Sequence, residues 1–266
     1  MQEPYQASPD VHVLPTHLAV PGVGKIPVNA FVILAEDPVL VDTGLGFDGP
    51  EFVAALDSVV PLRELRWIWL THDDADHTGS LQRVMEVAPQ ARLASHGQGA
   101  LRMSTWWPLP LDRVHAVALG DHLHVGDRSL VAVRPPVFDN PTTIGIYDDS
   151  TGTLFSVDAF GAILPELARD AADIPHQELT EGMVAWATFD VPWVHLVDEG
   201  RFERVLEAVR ALRPARVLSS HLPPASGRIE GFLELLRSLR DAEPYVAPGH
   251  EAFVDLVAQL QRPDLD

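Results

Sequence analysis

Cysteine is absent from this chain of 266 residues. Disulfide bonds and thiolate metal ligands are therefore excluded, so any bound metal ion must be held by histidines and carboxylates. Basic residues are scarce as well: 19 Lys and Arg stand against 38 Asp and Glu, which gives a formal net charge of -19. Such an excess of negative charge repels phosphate backbones and anionic lipids, so we expect no nucleic-acid partner and no membrane partner.

Long apolar runs are also missing. No segment reaches the roughly eighteen consecutive apolar residues that a membrane-spanning helix needs, and residues 1–10 lack the basic and then apolar pattern of a signal peptide. These absences predict a cytoplasmic protein. With 46% hydrophobic and 21% charged residues, the composition is that of a globular protein, and we expect a single domain over residues 1–266.

Short apolar runs alternate along the chain with amphipathic stretches. The runs predict strands at 31–34, 39–41, 66–70, 92–94, 114–118, 122–125, 130–134, 143–148, 153–157 and 216–219. The amphipathic stretches predict helices at 50–59, 80–87, 97–103, 200–212, 228–240 and 250–261, with irregular helical structure over 163–190. Strands mixed with helices in this way are typical of a layered α/β fold in which helices cover β-sheets.

Four side chains that can bind a metal lie close together directly after the apolar run 67–70. They are His72, Asp74, Asp76 and His77. A buried strand that turns tightly into a helix would hold them at the edge of a sheet, which is where α/β folds place their sites. Imidazole nitrogen and carboxylate oxygen suit divalent zinc, iron or manganese, and this cluster is large enough to serve two metal ions.

Three later side chains also follow apolar runs, and they are expected at the same edge. Asp139 follows 137–138, Asp158 follows 154–157, and His221 follows 217–220. Each also has an ordinary structural interpretation when taken alone. Asp139 would be a turn carboxylate, Asp158 a helix cap and His221 a loop histidine.

The order of these segments resembles the metallo-β-lactamase superfamily over about residues 11–261. The matching segments are 29–34, 40–44, 72–77, 145–148, 154–158 and 220–221. The resemblance implies an αββα sandwich, in which two mixed β-sheets are flanked by helices. It also implies a binuclear metal site at the edge of the sheets.

Carried over from the family, the candidate ligands divide between two metal positions. The first would be bound by His72, Asp74 and Asp139. The second would be bound by Asp76, His77 and His221. Asp158 would bridge the two positions. Asp42 would support one of the ligands without itself binding a metal. Asp158 and Asp76 are the side chains expected to act in catalysis.

One departure from the family pattern bears on the chemistry. The hydrolases of the superfamily usually carry His-x-His-x-Asp-His, whereas this chain has Asp74 at the second histidine. A carboxylate there resembles the oxygen-binding di-iron branch, the metal domain of flavodiiron proteins, which typically has glutamate. Segments 136–141 and 154–161 are similar to the same branch, although it normally has histidine at the position of Asp139.

These substitutions add oxygen donors, which favour iron or manganese over zinc. Together with the resemblance they predict two divalent metal ions, with iron favoured and zinc or manganese as alternatives. The leading hypothesis is a non-haem di-iron protein that binds or reduces dioxygen or nitric oxide, with electrons from a separate donor protein. We expect no FMN in this chain, because residues 1–266 include no flavodoxin domain.

Two alternatives stay open at this point. A metal-dependent hydrolase would act on an ester, lactone or phosphoester through a metal-bridging hydroxide. A sensor or binding protein would have a degenerate site. The first two hypotheses require a small-molecule substrate. Oligomeric state is open, with a homodimer as one option.

Aromatic residues and the remaining histidines mostly suit structural roles. The better candidates for an apolar pocket wall are Trp106, Trp107, Phe160, Trp186 and Trp193. His96 closes a predicted strand and is expected to have a hydrogen-bonded structural role.

Overall fold

Two β-sheets form the centre of the computed structural model, which describes residues 1–20 and 22–260. Within this range the first sheet has seven strands in chain order. They are β1 Tyr5–Ser8, β2 Val11–Val20, β3 Gly24–Ile33, β4 Val39–Val41, β5 Trp67–Trp69, β6 Arg92–Ser95 and β7 Val114–Ala116. Strands β1 to β4 pair antiparallel, and β4 to β7 pair parallel.

The second sheet has six strands in the described range, in the order β13-β12-β11-β10-β9-β8. They are β8 His122–His124, β9 Ser129–Val133, β10 Gly145–Asp148, β11 Thr153–Val157, β12 Arg216–Ser219 and β13 Ala225–Ser226. The β11–β12 pair is parallel and the other pairs are antiparallel. Both sheets are therefore mixed, as predicted.

Helices cover the outer face of each sheet. The helices of the described residues are α1 Gly49–Val59, α2 Ala75–Thr78, α3 Leu81–Val87, α4 Gly97–Met103, α5 His176–Asp190, α6 Glu199–Leu212, α7 Ile229–Ser238 and α8 His250–Leu260. Helices α1, α3 and α4 pack on the first sheet, and α5, α6 and α7 pack on the second. Between residues 1 and 260, no described helix is both long and apolar enough to cross a membrane.

Strand side chains alternate between two apolar layers, as the period of two in a β-strand requires. Phe31 and Val41 pack between the two sheets, against Phe155 of the second sheet. Val32 and Leu40 point the other way and pack under the helices. With a third apolar layer beneath α5 to α7, the order is helix, sheet, sheet, helix. The predicted αββα fold is confirmed.

Strands β1, β2 and β13 were not predicted from the sequence, and β3 begins earlier than predicted. Strand β2 contains Pro15, and proline within an apolar run argues against a strand interior. The proline is tolerated because the pairing of β2 with β1 ends at Val13. At Pro15, β2 pairs only with β3. The predicted irregular helix over 163–190 is helical from His176 onward. The last predicted helix was extended to residue 261, which lies outside the described residues.

Candidate metal centre

Strand ends bring most of the candidate ligands to one place. His72 and Asp74 follow β5, Asp76 and His77 lie in α2, Asp158 follows β11, and His221 follows β12. The loop with Asp139 connects β9 to β10. It is tied to the end of β5 because the amide of Ile144 donates a hydrogen bond to the Thr71 carbonyl at 2.8 Å. The structure therefore brings together all seven side chains that the sequence singled out as ligands.

Asp42 fixes the ring of His77. Its Oδ2 lies 2.8 Å from His77 Nδ1 and accepts a hydrogen bond from the Thr71 hydroxyl at 2.8 Å. Its Oδ1 accepts from the Thr71 amide at 2.8 Å. Since a carboxylate only accepts, the hydrogen is on His77 Nδ1, and Nε2 is left free to bind a metal. Thr71 has used its own hydrogen on Asp42, so its oxygen accepts from His72 Nδ1 at 3.2 Å.

His221 is oriented in the same way by backbone. Its Nδ1 donates to the carbonyl of Pro27 at 2.8 Å. The indole of Trp186 lies against the imidazole, with ring centroids 4.3 Å apart, and its Nε1 donates to the carbonyl of Asp158 at 3.0 Å. Trp186 thus contacts two candidate ligands and shields His221 from water.

Three imidazoles point their Nε2 atoms at Asp158, which is 3% exposed. The distance to Asp158 Oδ1 is 3.1 Å from His77 and 3.0 Å from His221, and the distance to Oδ2 is 3.5 Å from His72. Asp158 Oδ2 is buried and has no hydrogen-bond partner in the described structure. Two ligand atoms that each lie about 2.1 Å from one ion are about 3.0 to 3.4 Å apart. The spacing and the unsatisfied oxygen therefore fit metal ions between these atoms.

The charges of the centre are strongly coupled. Burial opposes ionisation of Asp158, but His72, His77 and His221 outweigh it and hold the pKa of that carboxyl well below its usual range. Burial lowers the pKa of His77, yet Asp76, Asp158 and Asp42 raise it well above the ordinary value. The centre requires positive charge beside Asp158, which protons or metal ions can supply.

The two candidate metal positions differ in burial. The second group consists of Asp76, His77 and His221, and both of its imidazoles are buried. The first group consists of His72, Asp74 and Asp139, and the Asp74 side chain is 37% exposed. Burial, followed by the charges of Asp158 and Asp74, raises the pKa of Asp139 to about 7. The first position is thus richer in carboxylate and more open.

Backbone strain accompanies two of these side chains. Asp42 has a φ of 59°, and Val157, directly before Asp158, has a φ of 56°. A β-branched residue rarely adopts this left-handed conformation, which costs roughly 1–3 kcal/mol. Val157 is 2% exposed, so the surrounding core holds it there. Such strain is common where a backbone must aim a functional side chain.

A family model described as "ODP family beta lactamase" matches residues 26–221. The chain belongs to this family. The match begins in β3 and ends at His221, so it includes all the candidate ligands. The predicted resemblance to the oxygen-binding di-iron branch is thereby confirmed at the level of the family.

Relatives of this ODP family chain are distant and longer. An uncharacterized protein of Methanocaldococcus jannaschii is 23% identical over 193 residues, which are 73% of this chain and 48% of that protein. An anaerobic nitric oxide reductase flavorubredoxin of Salmonella typhi is 30% identical over 134 residues, which are 50% of this chain and 28% of that protein. The chain thus matches at most about half the length of these two relatives.

Solved structures show the same fold. The flavodiiron protein from Giardia intestinalis has a TM-score of 0.79 at 16% identity, covering 90% of this chain and 60% of that one. The rubredoxin oxygen:oxidoreductase from Desulfovibrio gigas has a TM-score of 0.80 at 17% identity, covering 91% and 63%. At these identities the likeness establishes the fold of the ODP family chain.

Asp190 was not among the site residues predicted from the sequence, yet its carboxyl lies close enough to Asp158 and Asp139 for their charges to act on it. Asp190 ends α5, one helical turn after Trp186 and on the same face. Burial, together with the charges of Asp158 and Asp139, raises the pKa of Asp190 to about 8. The spacing from Trp186 was the one signal in the sequence, and it becomes informative only when Trp186 is known to contact His221.

The other aromatic predictions had mixed outcomes. Phe160 stacks on Phe232 and Trp107 lies under the first sheet, so both are core residues. Trp106 is 64% exposed. Trp193 lies beside Phe138, next to Asp139, with ring centroids 6.0 Å apart. His96 Nδ1 accepts a hydrogen bond from the Gln98 amide and caps α4, which is the structural role expected for it.

Proposed function

We propose that this chain is a non-haem di-iron protein that binds or reduces dioxygen or nitric oxide. The observation that carries the proposal is the donor set of the first position. One imidazole, from His72, lies with the carboxylates of Asp74 and Asp139. Oxygen-rich sets favour iron or manganese over the more nitrogen- and sulfur-seeking zinc. The names of two relatives, a nitric oxide reductase and an oxygen:oxidoreductase, support the choice of a diatomic substrate.

Charge balance supports two divalent ions. Four aspartates surround the centre, namely Asp74, Asp76, Asp139 and Asp158. Their formal charge equals that of two divalent cations, so a bridging hydroxide would leave a mildly anionic centre that stabilises higher oxidation states. When bound, the metal ions would supply the binding of the diatomic molecule and the transfer of electrons to it.

The protein's own groups prepare the centre. Asp42, Thr71 and the Pro27 carbonyl fix the three imidazoles with their Nε2 atoms towards Asp158. Trp186 excludes water from one side of His221. Asp158 would bind the metal ions together with His72 and His77, and Asp76 would complete the second position with His77 and His221. These groups are already oriented, so little reorganisation accompanies metal binding.

Electrons must reach the centre from a donor. We propose that a separate protein donates them. The absence of FMN, the single domain over 1–266 and the cytoplasmic location remain predictions from the sequence.

Metal content and redox spectroscopy test the proposal. The protein is purified without added metal, and its metal ions are counted. The reduced protein is then mixed with dioxygen or nitric oxide, and a sample kept anaerobic serves as the control. We expect two ions per chain, mostly iron, and an optical change on mixing. Asp158→Ala should abolish both, whereas Asp149→Ala, an exposed residue of the 148–152 turn, should preserve them.

Two other outcomes would contradict the proposal. Mostly zinc, no optical change, and turnover of an ester or phosphodiester panel that is lost in His221→Ala would establish a hydrolase instead. Failure to bind two metal ions tightly would favour a sensor or binding protein.

A further inference from the structure

A buried amide lies directly behind the first metal position. Asn140 follows Asp139 in the β9–β10 loop and is 5% exposed. Its Nδ2 donates to Asp74 Oδ1 at 2.7 Å. This is the shortest contact that the amide makes, and it joins residues 66 positions apart. Asp74 is one of the three side chains that can hold a metal ion at the first position.

The orientation of the Asn140 amide is fixed by its oxygen. Asn140 Oδ1 accepts hydrogen bonds from the Thr142 amide at 3.0 Å and from Arg102 Nη1 at 3.3 Å, and it lies 2.8 Å from the Thr142 hydroxyl. If the amide were flipped, its NH2 group would face these donors. The structure therefore presents a donor, and not an acceptor, to Asp74.

An ion pair between the buried Asp73 carboxylate and the half-exposed Arg102 anchors this arrangement. The Asp73 side chain is 4% exposed, and its Oδ2 lies 2.9 Å from Arg102 Nε. Asp73 Oδ1 accepts from the Thr142 hydroxyl at 2.8 Å and from Asn140 Nδ2 at 3.3 Å. We call Arg102, Asp73, Asn140 and Thr142 the Asn140 network. It connects α4, the loop after β5 and the β9–β10 loop.

We propose that Asn140 is a positioning residue that sets the metal affinity of the first position through Asp74. The idea rests on the proposed two-metal centre. With Oδ1 of Asp74 held by Asn140, the other oxygen lies 3.7 Å from His72 Nε2. Aspartate reaches less far than histidine or glutamate, so its direction must be fixed for it to bind a shared ion.

Charge explains why a neutral donor is needed. Asp74 and Asp139 lie in one group of candidate ligands, and two carboxylates so close together repel each other when both are ionised. An exposed Asp74 would turn towards solvent and away from Asp139. The Asn140 amide opposes this rotation without adding a charge that would compete with the metal ion.

Anaerobic titration of the metal-depleted protein with Fe(II) tests the inference. We expect two ions per chain in the parent protein. In Asn140→Ala, affinity at one position should fall by about 10- to 100-fold, the usual effect of losing a partner of a metal ligand. The other position should be unchanged. Tyr147→Phe is the matched control, since it removes a hydrogen bond to the Leu212 carbonyl away from the centre.

A double-mutant cycle identifies the position. Asp74→Ala should weaken the same site, and adding Asn140→Ala to it should cause no further loss. Thermal unfolding without metal checks that the variants fold. If Asn140→Ala does not fold, Thr142→Val replaces it, because it removes only the hydroxyl beside Asn140 Oδ1 and should cause a smaller loss at the same position.

Parental affinity at both positions in Asn140→Ala would overturn the inference. The inference would also be overturned if Asn140→Ala caused the same loss of metal affinity in the parent protein and in Asp74→Ala. Binding of two ions with full affinity by Asp74→Ala would overturn it too. Iron counting is independent of oxygen or nitric oxide chemistry. A protein that shows these binding changes but no reaction with a diatomic molecule would contradict the proposed function and leave the role of Asn140 intact.

Discussion

At the residue scale, Asp42 combines an unusual backbone conformation with a carboxylate that orients a candidate ligand. Its backbone has a left-handed conformation, with a φ of 59°, and its carboxylate accepts from both Thr71 and His77. Asparagine tolerates the same backbone conformation better than most residues. Replacing Asp42 with asparagine therefore changes the hydrogen bonds of the side chain and preserves the backbone conformation.

Asp42→Asn should weaken metal binding at the position of His77. The amide has one acceptor oxygen, so its NH2 group must face a donor from either Thr71 or His77, and the ring loses its fixed tautomer. We expect a loss of affinity of about 10- to 100-fold in an anaerobic Fe(II) titration. Asp149→Asn serves as the control, and equal affinities for the two variants would show that Asp42 does not orient the ligand.

Asp190 should make the metal-free protein less stable at higher pH. Its pKa is raised to about 8 in the folded protein, against about 3.9 in an unfolded chain. The folded state therefore binds more protons between about pH 4 and pH 8, and the free energy of unfolding falls as pH rises through that window. Below it, the stabilising effect of the protonated group is fully present.

Asp190→Asn should flatten this dependence. One proton corresponds to at most about 1.4 kcal/mol per pH unit. Urea unfolding of chelator-treated protein between pH 5 and pH 8 measures the slope for the parent and the variant. Identical slopes would mean that Asp190 does not carry the proton.

At the scale of elements, α2 is held by the loop that follows β4. The amide of Thr43 donates to the His77 carbonyl at 2.8 Å, and the amide of Gly79 donates to the Gly44 carbonyl at 2.9 Å. A Cβ on Gly79 would lie 2.2 Å from the backbone nitrogen of Gly46. Since backbone cannot move aside cheaply, this contact requires glycine. The helix with two candidate ligands is thus positioned by close backbone packing.

Gly79→Ala should destabilise the protein by more than about 1–3 kcal/mol, the usual cost of overpacking, because the clash is with backbone. It should also weaken metal binding through His77. Gly231→Ala in α7 is the matched control: a Cβ there meets no atom within 4 Å, and alanine in a helix is favoured by roughly 0.5–1 kcal/mol. Urea unfolding measures both, and a neutral Gly79→Ala would show that the loop yields.

Prediction from sequence worked best for elements with a clear period and for the side chains after strands that the fold brings together. This approach found strands β4, β5, β11 and β12. It also found the cluster from His72 to His77, which follows β5. Strand β2 was missed because Pro15 interrupts its pattern. Asp190 and the partners of Asn140 were missed for another reason. Their roles arise from contacts between distant segments, such as Asn140 with Asp74, which leave no local pattern.

For the whole molecule, the centre joins the two halves of the sandwich. The candidate ligands extend from His72, after a strand of the first sheet, to His221, after a strand of the second. A metal ion that binds side chains from both sheets stabilises the folded state and not the unfolded one. Its removal should therefore affect the stability of both sheets together.

Chelation should lower the thermal midpoint of the whole protein. Free metal at 100 times its dissociation constant contributes about 2.7 kcal/mol to the free energy of unfolding. Calorimetry before and after chelator treatment, followed by addition of Fe(II) without oxygen, measures the effect. Asp158→Ala should have a low midpoint that chelator no longer changes, and a chelator-insensitive parent protein would contradict a structural contribution from the metals.

The contact between Trp186 and His221 gives the centre an optical signal of its own. The indole lies 4.3 Å from the imidazole of His221, a candidate ligand. If an open-shell ion such as Fe(II) binds there, the excited indole can transfer its energy or an electron to it, whereas closed-shell Zn(II) offers no such pathway. Iron loading should therefore quench part of the emission from the six tryptophans, zinc loading should not, and Trp186→Phe should remove most of the quenched fraction. Fluorescence would then report which metal occupies the second position without any added label.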